Sequence, residues 1–183
     1  MTFISAEEAF KKAEPGSLST TSRVWLAALL GTLVFALIQF ATYTPDGFPN
    51  NDNLLRMIHV QDLLAGQGWY DPVQYRLGLE GGTVMHWSKL IDAPIAALVL
   101  VGGKAFAAAA WPGLLAFVAL AGLVLGAVRT GGTETILPAS VIGVAALWSV
   151  GAFSIGAFDH HNVHVVLLIW GGVRVARGPA PGG

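Results

Sequence analysis

Long runs of apolar residues without a charged side chain dominate the pattern of this sequence. Each of the three longest runs has the roughly 20 residues that a helix needs to cross about 30 Å of hydrocarbon. A fourth run, 163–173, reaches that length only if the helix includes the residues before it and Arg174 extends to the interface. We therefore predict an all-α, multi-pass transmembrane protein with about four spans. The predicted spans lie near 24–43, 105–128, 135–157 and 162–176.

The polar segments around these runs predict the orientation of the chain. Residues 1–23 lack the early apolar core of a cleaved signal peptide, so we expect the first span to be retained. A cytoplasmic N-terminus puts six basic residues on the cytoplasmic side, where they are favoured. These are Lys11, Lys12, Arg23, Arg129, Arg174 and Arg177. We therefore predict an inner-membrane protein with a cytoplasmic segment at 1–23, a transmembrane region at 24–177 and a flexible tail at 178–183.

A long external loop, 44–104, separates the first two predicted spans and holds six of the eleven acidic residues. Within it, the apolar spacing predicts a helix over 53–67 with Asp52 near its N-cap. The apolar run 93–103 is too short to span, so its length favours an interfacial or re-entrant helix. That interpretation puts Asp52 and Asp159 on one face of the membrane. If 93–103 crosses, the two carboxylates lie on opposite faces.

The composition excludes several classes of protein. Hydrophobic residues make up 54% of the chain and charged residues 11%, whereas about 25% of the residues in a soluble domain are charged. The chain has no cysteine, which rules out disulfides and thiolate metal sites. Its net charge is −1 and it has no basic cluster, so we expect membrane lipid and no nucleic acid among its partners.

The segment 159–162, Asp-His-His-Asn, interrupts two apolar runs and is the most unusual feature of the sequence. Ionisable side chains at the edge of hydrocarbon are costly unless they are paired, hydrated or bound to a metal. Asp159 and His161 are two residues apart, so in an extended turn both can ligate one ion. On the shared-face topology Asp52 can approach them and complete a metal site. These donors predict Mn²⁺ or Mg²⁺, with Zn²⁺ less favoured.

Two further histidines lie beside this predicted site. His160 and His164 are four residues apart and would share a helix face, so we expect them next to the metal ligands rather than among them. The glutamate of a helical zinc-protease motif is absent, which argues against a membrane protease. A structural alternative stays open, in which Asp159 caps the last helix and the histidines are hydrated at the interface.

Three cations of the first loop are candidates for binding a substrate phosphate. They are Arg76, His86 and Lys89. Basic side chains form charge-assisted hydrogen bonds with phosphate oxygens. Ordinary solvation of loop cations is an equally good interpretation of the same residues.

Short motifs in a defined order link these features to a known family. Asn51-Asp52-Asn53-Leu54-Leu55-Arg56 opens the loop helix, Trp69-Tyr70-Asp71-Pro72 and the run 75–83 follow, and Gly156-Ala157-Phe158-Asp159-His160-His161 lies in the second loop. Over roughly 24–172 this order resembles the N-terminal region of the catalytic subunit of oligosaccharyltransferases, members of the GT-C class of membrane glycosyltransferases. His161 stands where that family has a second acidic residue. The family's later spans and soluble domain have no counterpart here.

The resemblance implies transfer of a sugar from a polyprenyl phosphate or pyrophosphate donor to an acceptor outside the cytoplasm. It implies that Asp52 orients or deprotonates the acceptor, and that Asp159 and His161 hold a divalent ion near the leaving phosphate. The acceptor and the sugar are not predicted. Two alternatives stay open: a membrane subunit that transports metal ions or protons, and a truncated or inactive fragment of a glycosyltransferase. Transport is disfavoured because the predicted spans carry few polar residues.

Overall fold

The computed structural model of the protein describes residues 18–43, 50–78 and 80–176. This part of the chain is mostly helical, as predicted. Its helices are α1 (Thr20–Thr42), α2 (Asn51–Leu64), α3 (Lys89–Gly131), α4 (Ile136–Val150) and α5 (His161–Val175). Two short antiparallel strands, β1 (Val73–Gln74) and β2 (Thr83–Val84), and a 3-10 turn (Thr133–Thr135) complete it. The predictions for 1–17 and for the tail at 178–183 lie outside the described residues.

Three stretches of helix are long and apolar enough to cross a membrane. They are Thr20–Thr42, Lys89–Gly131 and Thr133–Val150. They contain most of the first three predicted spans. The fourth predicted span corresponds to α5, whose 15 residues extend only about 22 Å. A fourth crossing therefore stays a prediction. The location in the inner membrane and the cytoplasmic position of the N-terminus also stay predictions.

Helix α3 begins earlier than the sequence pattern indicated. The second predicted span starts at residue 105, but the helix starts at Lys89 and runs for 43 residues. Such a helix would extend about 65 Å, roughly twice the thickness of the hydrocarbon. Gly103 divides it, with φ 79° and ψ 179°, a conformation that essentially only glycine adopts. The short apolar run in the first loop is therefore helical, and it joins the following span at this kink.

The membrane-length helices pack through small residues. The buried core places Ala28 and Phe35 of α1 against Ala116, Ala119 and Leu120 of α3, with Leu147 of α4 in the same cluster. Gly143 of α4 lies so close to α3 that a Cβ there would stand 2.8 Å from a methyl carbon of Leu120. Close approach at small residues is the usual way in which helices associate without a hydrophobic driving force between them.

The second half of α3 and helix α5 run in the same direction. Trp170 donates its indole N–H to the carbonyl of Val118 at 3.0 Å, and Arg129 donates to the carbonyl of Val173 at 2.7 Å. At the opposite end of the bundle, Gly156 of the loop before α5 bonds to Ala108 of α3. That end of the bundle carries the loop 151–160, and helix α2 packs beside it.

Helix α2 is attached to α3 by a buried ion pair. Arg56 Nη1 lies 2.8 Å from Asp92 Oδ1, and both side chains are almost fully buried. The guanidinium carbon of Arg56 also lies 4.4 Å from the centre of the Trp87 ring. Met57, the next residue of α2, belongs to an apolar cluster with Ile95 and Ala96 of α3. Because a buried charge without a partner is very costly, this pair holds α2 in one position on α3.

We expect Asp92→Asn to destabilise the protein by about 3–5 kcal/mol, because it leaves the buried guanidinium of Arg56 without a counter-charge. The double variant Arg56→Met/Asp92→Leu removes both charges and should lose much less stability. Unfolding by heat or denaturant of the chain purified in detergent measures the difference.

The exposed ion pair of the first loop provides a matched control. Arg76 Nη1 lies 2.5 Å from Asp62 Oδ2, and the arginine side chain is 60% exposed. Breaking this pair with Arg76→Met should cost about 1 kcal/mol or less. If Asp92→Asn is no more destabilised than Arg76→Met, the buried pair does not hold α2 in place.

Candidate metal centre

The loop 151–160 is held against α3 where a proline interrupts the helical hydrogen bonds. Gly151 ends α4 in a left-handed conformation, with φ 69°. Pro112 has no N–H to donate to the carbonyl of Ala108, four residues earlier. Gly156 of the loop donates to that carbonyl instead, at 2.8 Å. The proline therefore creates the acceptor that fixes the middle of the loop.

Asn53 of α2 fixes the end of the same loop. Its buried Oδ1 accepts the backbone N–H groups of Phe158 at 2.7 Å and of Asp159 at 2.8 Å. Its Nδ2 donates to Asn50 Oδ1, which also caps the helix. From the other side, Asn162 Nδ2 donates to the carbonyl of Ala157 at 2.9 Å. The first and second loops of the predicted topology thus meet at one end of the bundle.

This contact presents Asp159, His160 and His161 together. One donor atom from each of the three side chains lies within 4.8 Å of the others. Asp159 Oδ2 contacts His161 Nδ1, and Asp159 Oδ1 accepts the backbone N–H of His160 at 2.7 Å. His160 Nδ1 lies 2.5 Å from the same Oδ1. That nitrogen is buried and has no partner in hydrogen-bond geometry, which fits a donor atom that is available to a cation.

The surroundings of Asp159 favour its ionised form. Burial alone raises the pKa of this carboxyl group, because desolvation penalises the charge. Hydrogen bonds from His161 and from the backbone of His160, together with the charges of both imidazoles, oppose this effect and lower the pKa below its usual value. The carboxylate is therefore charged at neutral pH, as a metal ligand must be.

Two openings flank the histidines. A cavity of about 600 Å³ lies beside Asn53, Asp159 and His161, with the apolar side chain of Leu168 in its wall. A groove of about 360 Å³ lies on the other side, between Trp87 and His160. The ring of His164 lines both openings and lies 4.9 Å from the ring of His160, measured between centroids. Both openings combine polar groups with aliphatic walls.

The predicted ligands are only partly brought together. Asp159 and His161 belong to the cluster, and His160, which was expected next to the ligands, is a member of it. Asp52 lies exposed in the first turn of α2, beside Asn53, and is not one of the three clustered residues. Ligation by Asp52 therefore stays a prediction.

The three predicted phosphate-binding cations lie in different places. Arg76 pairs with Asp62 in a separate polar pocket at the end of α2. Lys89 is buried and donates to the carbonyl of Gly68 at 2.5 Å. His86 lines the groove beside His160. Of the three, His86 is thus the one placed next to the histidine cluster.

Sequence reasoning missed the residues that position the site. Asn53 and Arg56 lie on one side of α2, yet both were treated only as parts of a motif. The available signal was their spacing: residues three apart on a helix face the same neighbour. Polar residues at that spacing, in a helix with apolar residues between them, indicate buried polar contacts.

Comparison of the chain with protein-family models, with curated proteins and with solved structures finds no match in any of the three. The likeness to GT-C glycosyltransferases therefore rests on the short motifs and their order.

Replacing Asn53 tests how the loop is held. Asn53→Ala removes the acceptor of two backbone N–H groups, and each buried donor left unsatisfied costs about 1–3 kcal/mol. Asn53→Asp keeps the acceptor oxygen but buries a charge and sets an oxygen against Asn50 Oδ1, so it should also lose stability. Thermal unfolding in detergent measures the effect, and Asn51→Ala, an exposed change in the same helical turn, is the control. Equal stability of Asn53→Ala and Asn51→Ala would contradict this role.

Proposed function

We propose that this chain is a divalent-metal-dependent membrane glycosyltransferase, or the part of one that holds the metal. The donor would be a sugar linked to a polyprenyl phosphate or pyrophosphate. The observation that carries the proposal is the double hydrogen bond from Phe158 and Asp159 to Asn53. It joins the two loops whose motifs resemble the GT-C family, and Asp52 is the neighbour of Asn53 in the sequence.

The position of the site suits a substrate with a lipid tail. The cluster lies at the end of a bundle of three membrane-length helices, beside openings with aliphatic walls. A polyprenyl chain can remain in the hydrocarbon while its phosphate reaches polar groups at the edge. The cation, when bound, would supply Lewis-acid stabilisation of the leaving phosphate.

The residues of the chain divide the remaining tasks. Asp159, His160 and His161 would hold the cation, with Asp159 already ionised. Asp52, exposed at the start of α2, would orient the acceptor or accept its proton. His86 would contact the donor phosphate from the groove, where it lies beside His160. Arg76 and Lys89 are already engaged with Asp62 and Gly68, so they would support the loop instead.

A transport function has less support. A relay for ions or protons needs polar side chains along the spans. In α1 the buried polar residue is Gln39. The buried polar residues of α3, Lys89 and Asp92, lie before the kink at Gly103, so they do not continue a polar path along the span that follows it.

The proposal predicts metal-dependent consumption of a lipid-linked sugar. Membranes that contain the chain, supplied with a polyprenyl-phosphate sugar, should consume it when a divalent cation is present and stop when EDTA is added. Asp52→Ala should lower the rate by about 100-fold or more, the usual contribution of a general base. Chromatography of extracted lipids measures the donor.

The exposed carboxylate of Glu134, between α3 and α4, provides the control. Glu134→Gln removes a charge outside the site and should leave the rate within about twofold. No consumption by the wild-type chain over a panel of prenyl-phosphate sugars and acceptors would reject the proposal. Equal rates for Asp52→Ala and wild type would reject the role of Asp52.

A further inference from the structure

The donor atoms of the cluster are richer in nitrogen than the sequence interpretation assumed. That interpretation used two carboxylates and one imidazole, which suits Mn²⁺ or Mg²⁺. The structure instead groups one carboxylate, Asp159, with the imidazoles of His160 and His161. Asp52, the second expected carboxylate, is not in the group. This change in donor set changes the metal that the site should prefer.

The chemistry of the donors separates the candidate ions. Mg²⁺ takes oxygen ligands in near-octahedral geometry and keeps several waters, and Mn²⁺ also suits carboxylate and water. Imidazole suits Zn²⁺, Fe²⁺, Ni²⁺ and Cu²⁺. Two imidazoles and one carboxylate are a frequent set for zinc in open sites, where a further position remains for water or substrate.

Contacts within the protein hold these donors close to one another. The backbone of Asp159 is held by Asn53 Oδ1, and its carboxylate contacts both imidazoles. His160 Nδ1 is buried without a hydrogen-bond partner, although it lies 2.5 Å from a carboxylate oxygen. A cation that accepts nitrogen ligands would satisfy this atom, whereas an ion that prefers oxygen would leave it unsatisfied.

A further imidazole lies within reach of the same group. The ring centroid of His164 is 4.9 Å from that of His160 and 6.3 Å from that of His161. His164 lies one helical turn after His160, so a small rotation of its side chain changes its distance to the cluster. His164 thus offers a further nitrogen donor near the site.

We propose that Asp159, His160 and His161 form a two-imidazole, one-carboxylate site that selects Zn²⁺ over Mg²⁺ and Mn²⁺. The inference rests on the proposed function for the role of the metal in sugar transfer. The preference of the site for one metal over another depends only on its three donor side chains.

Binding of Co²⁺, a spectroscopic substitute for Zn²⁺, tests the preference. The full chain, purified in detergent without a histidine tag and stripped with EDTA, is titrated with Co²⁺ while visible absorption is recorded. We expect one equivalent to bind with the absorption of a four- or five-coordinate ion. Zn²⁺ should displace it at stoichiometric amounts, whereas about a hundredfold excess of Mg²⁺ or Mn²⁺ should not. Displacement by Mg²⁺ or Mn²⁺ as effective as that by Zn²⁺ would overturn the proposal.

Substitutions identify the ligands and test the selectivity. Asp159→Asn, His160→Ala and His161→Ala should each weaken Co²⁺ binding by about tenfold or more, since even indirect partners of a metal site contribute that much. His161→Asp should reduce the ratio of Zn²⁺ to Mn²⁺ affinity, because it replaces an imidazole with a carboxylate. Glu134→Gln, an exposed change between α3 and α4, should bind as wild type does. Wild-type binding by all three cluster variants would reject the site.

The outcomes distinguish this inference from the proposed function. Tight Zn²⁺ binding without any sugar transfer supports the site and rejects the reaction. Sugar transfer that runs with Mg²⁺ in a chain that does not bind Co²⁺ supports the reaction and rejects the inferred selectivity. Thermal unfolding of each metal-free variant shows whether lost binding reflects lost folding.

Discussion

Two backbone N–H groups that converge on one side-chain oxygen hold the candidate site together. Asn53 Oδ1 accepts from Phe158 and Asp159, more than 100 residues further along the chain. The contact is buried, and in such surroundings a hydrogen bond is strong and its absence is costly. Because Asp159 is held through its backbone, its carboxylate remains available to the histidines. The geometry of the cluster therefore depends on a residue that belongs to a different loop.

Two further polar contacts attach a loop and a helix to α3 at this end of the bundle. Pro112 leaves the carbonyl of Ala108 free, and Gly156 uses it to attach the loop 151–160 to α3. Arg56 and Asp92 attach α2 to the segment of α3 before the kink. Each contact is directional, whereas apolar packing is not. A few directional bonds thus define which residues meet at the end of the bundle.

The helical character and most of the membrane-length helices were predictable from the sequence. Residues 24–43 and 135–157 have no charge over the length of a span, and this requirement is local. The length of α3 was not predictable, since Gly103 permits a kink that the apolar pattern does not show. The contacts of the loop cations were also not predictable from the sequence. Lys89 and Arg76 resembled free cations until the fold paired them with Gly68 and Asp62.

The sequence by itself determined the fold class, the helices long enough to cross a membrane and the unusual group Asp159-His160-His161, because these follow from hydrophobicity and from adjacent residues. The tertiary structure decided which donors lie together. It placed His160 in the cluster, left Asp52 exposed in the first turn of α2 and buried Arg56 against Asp92. The physical reason is that long-range hydrogen bonds and ion pairs, once water is excluded, fix neighbours that no local spacing in the chain specifies.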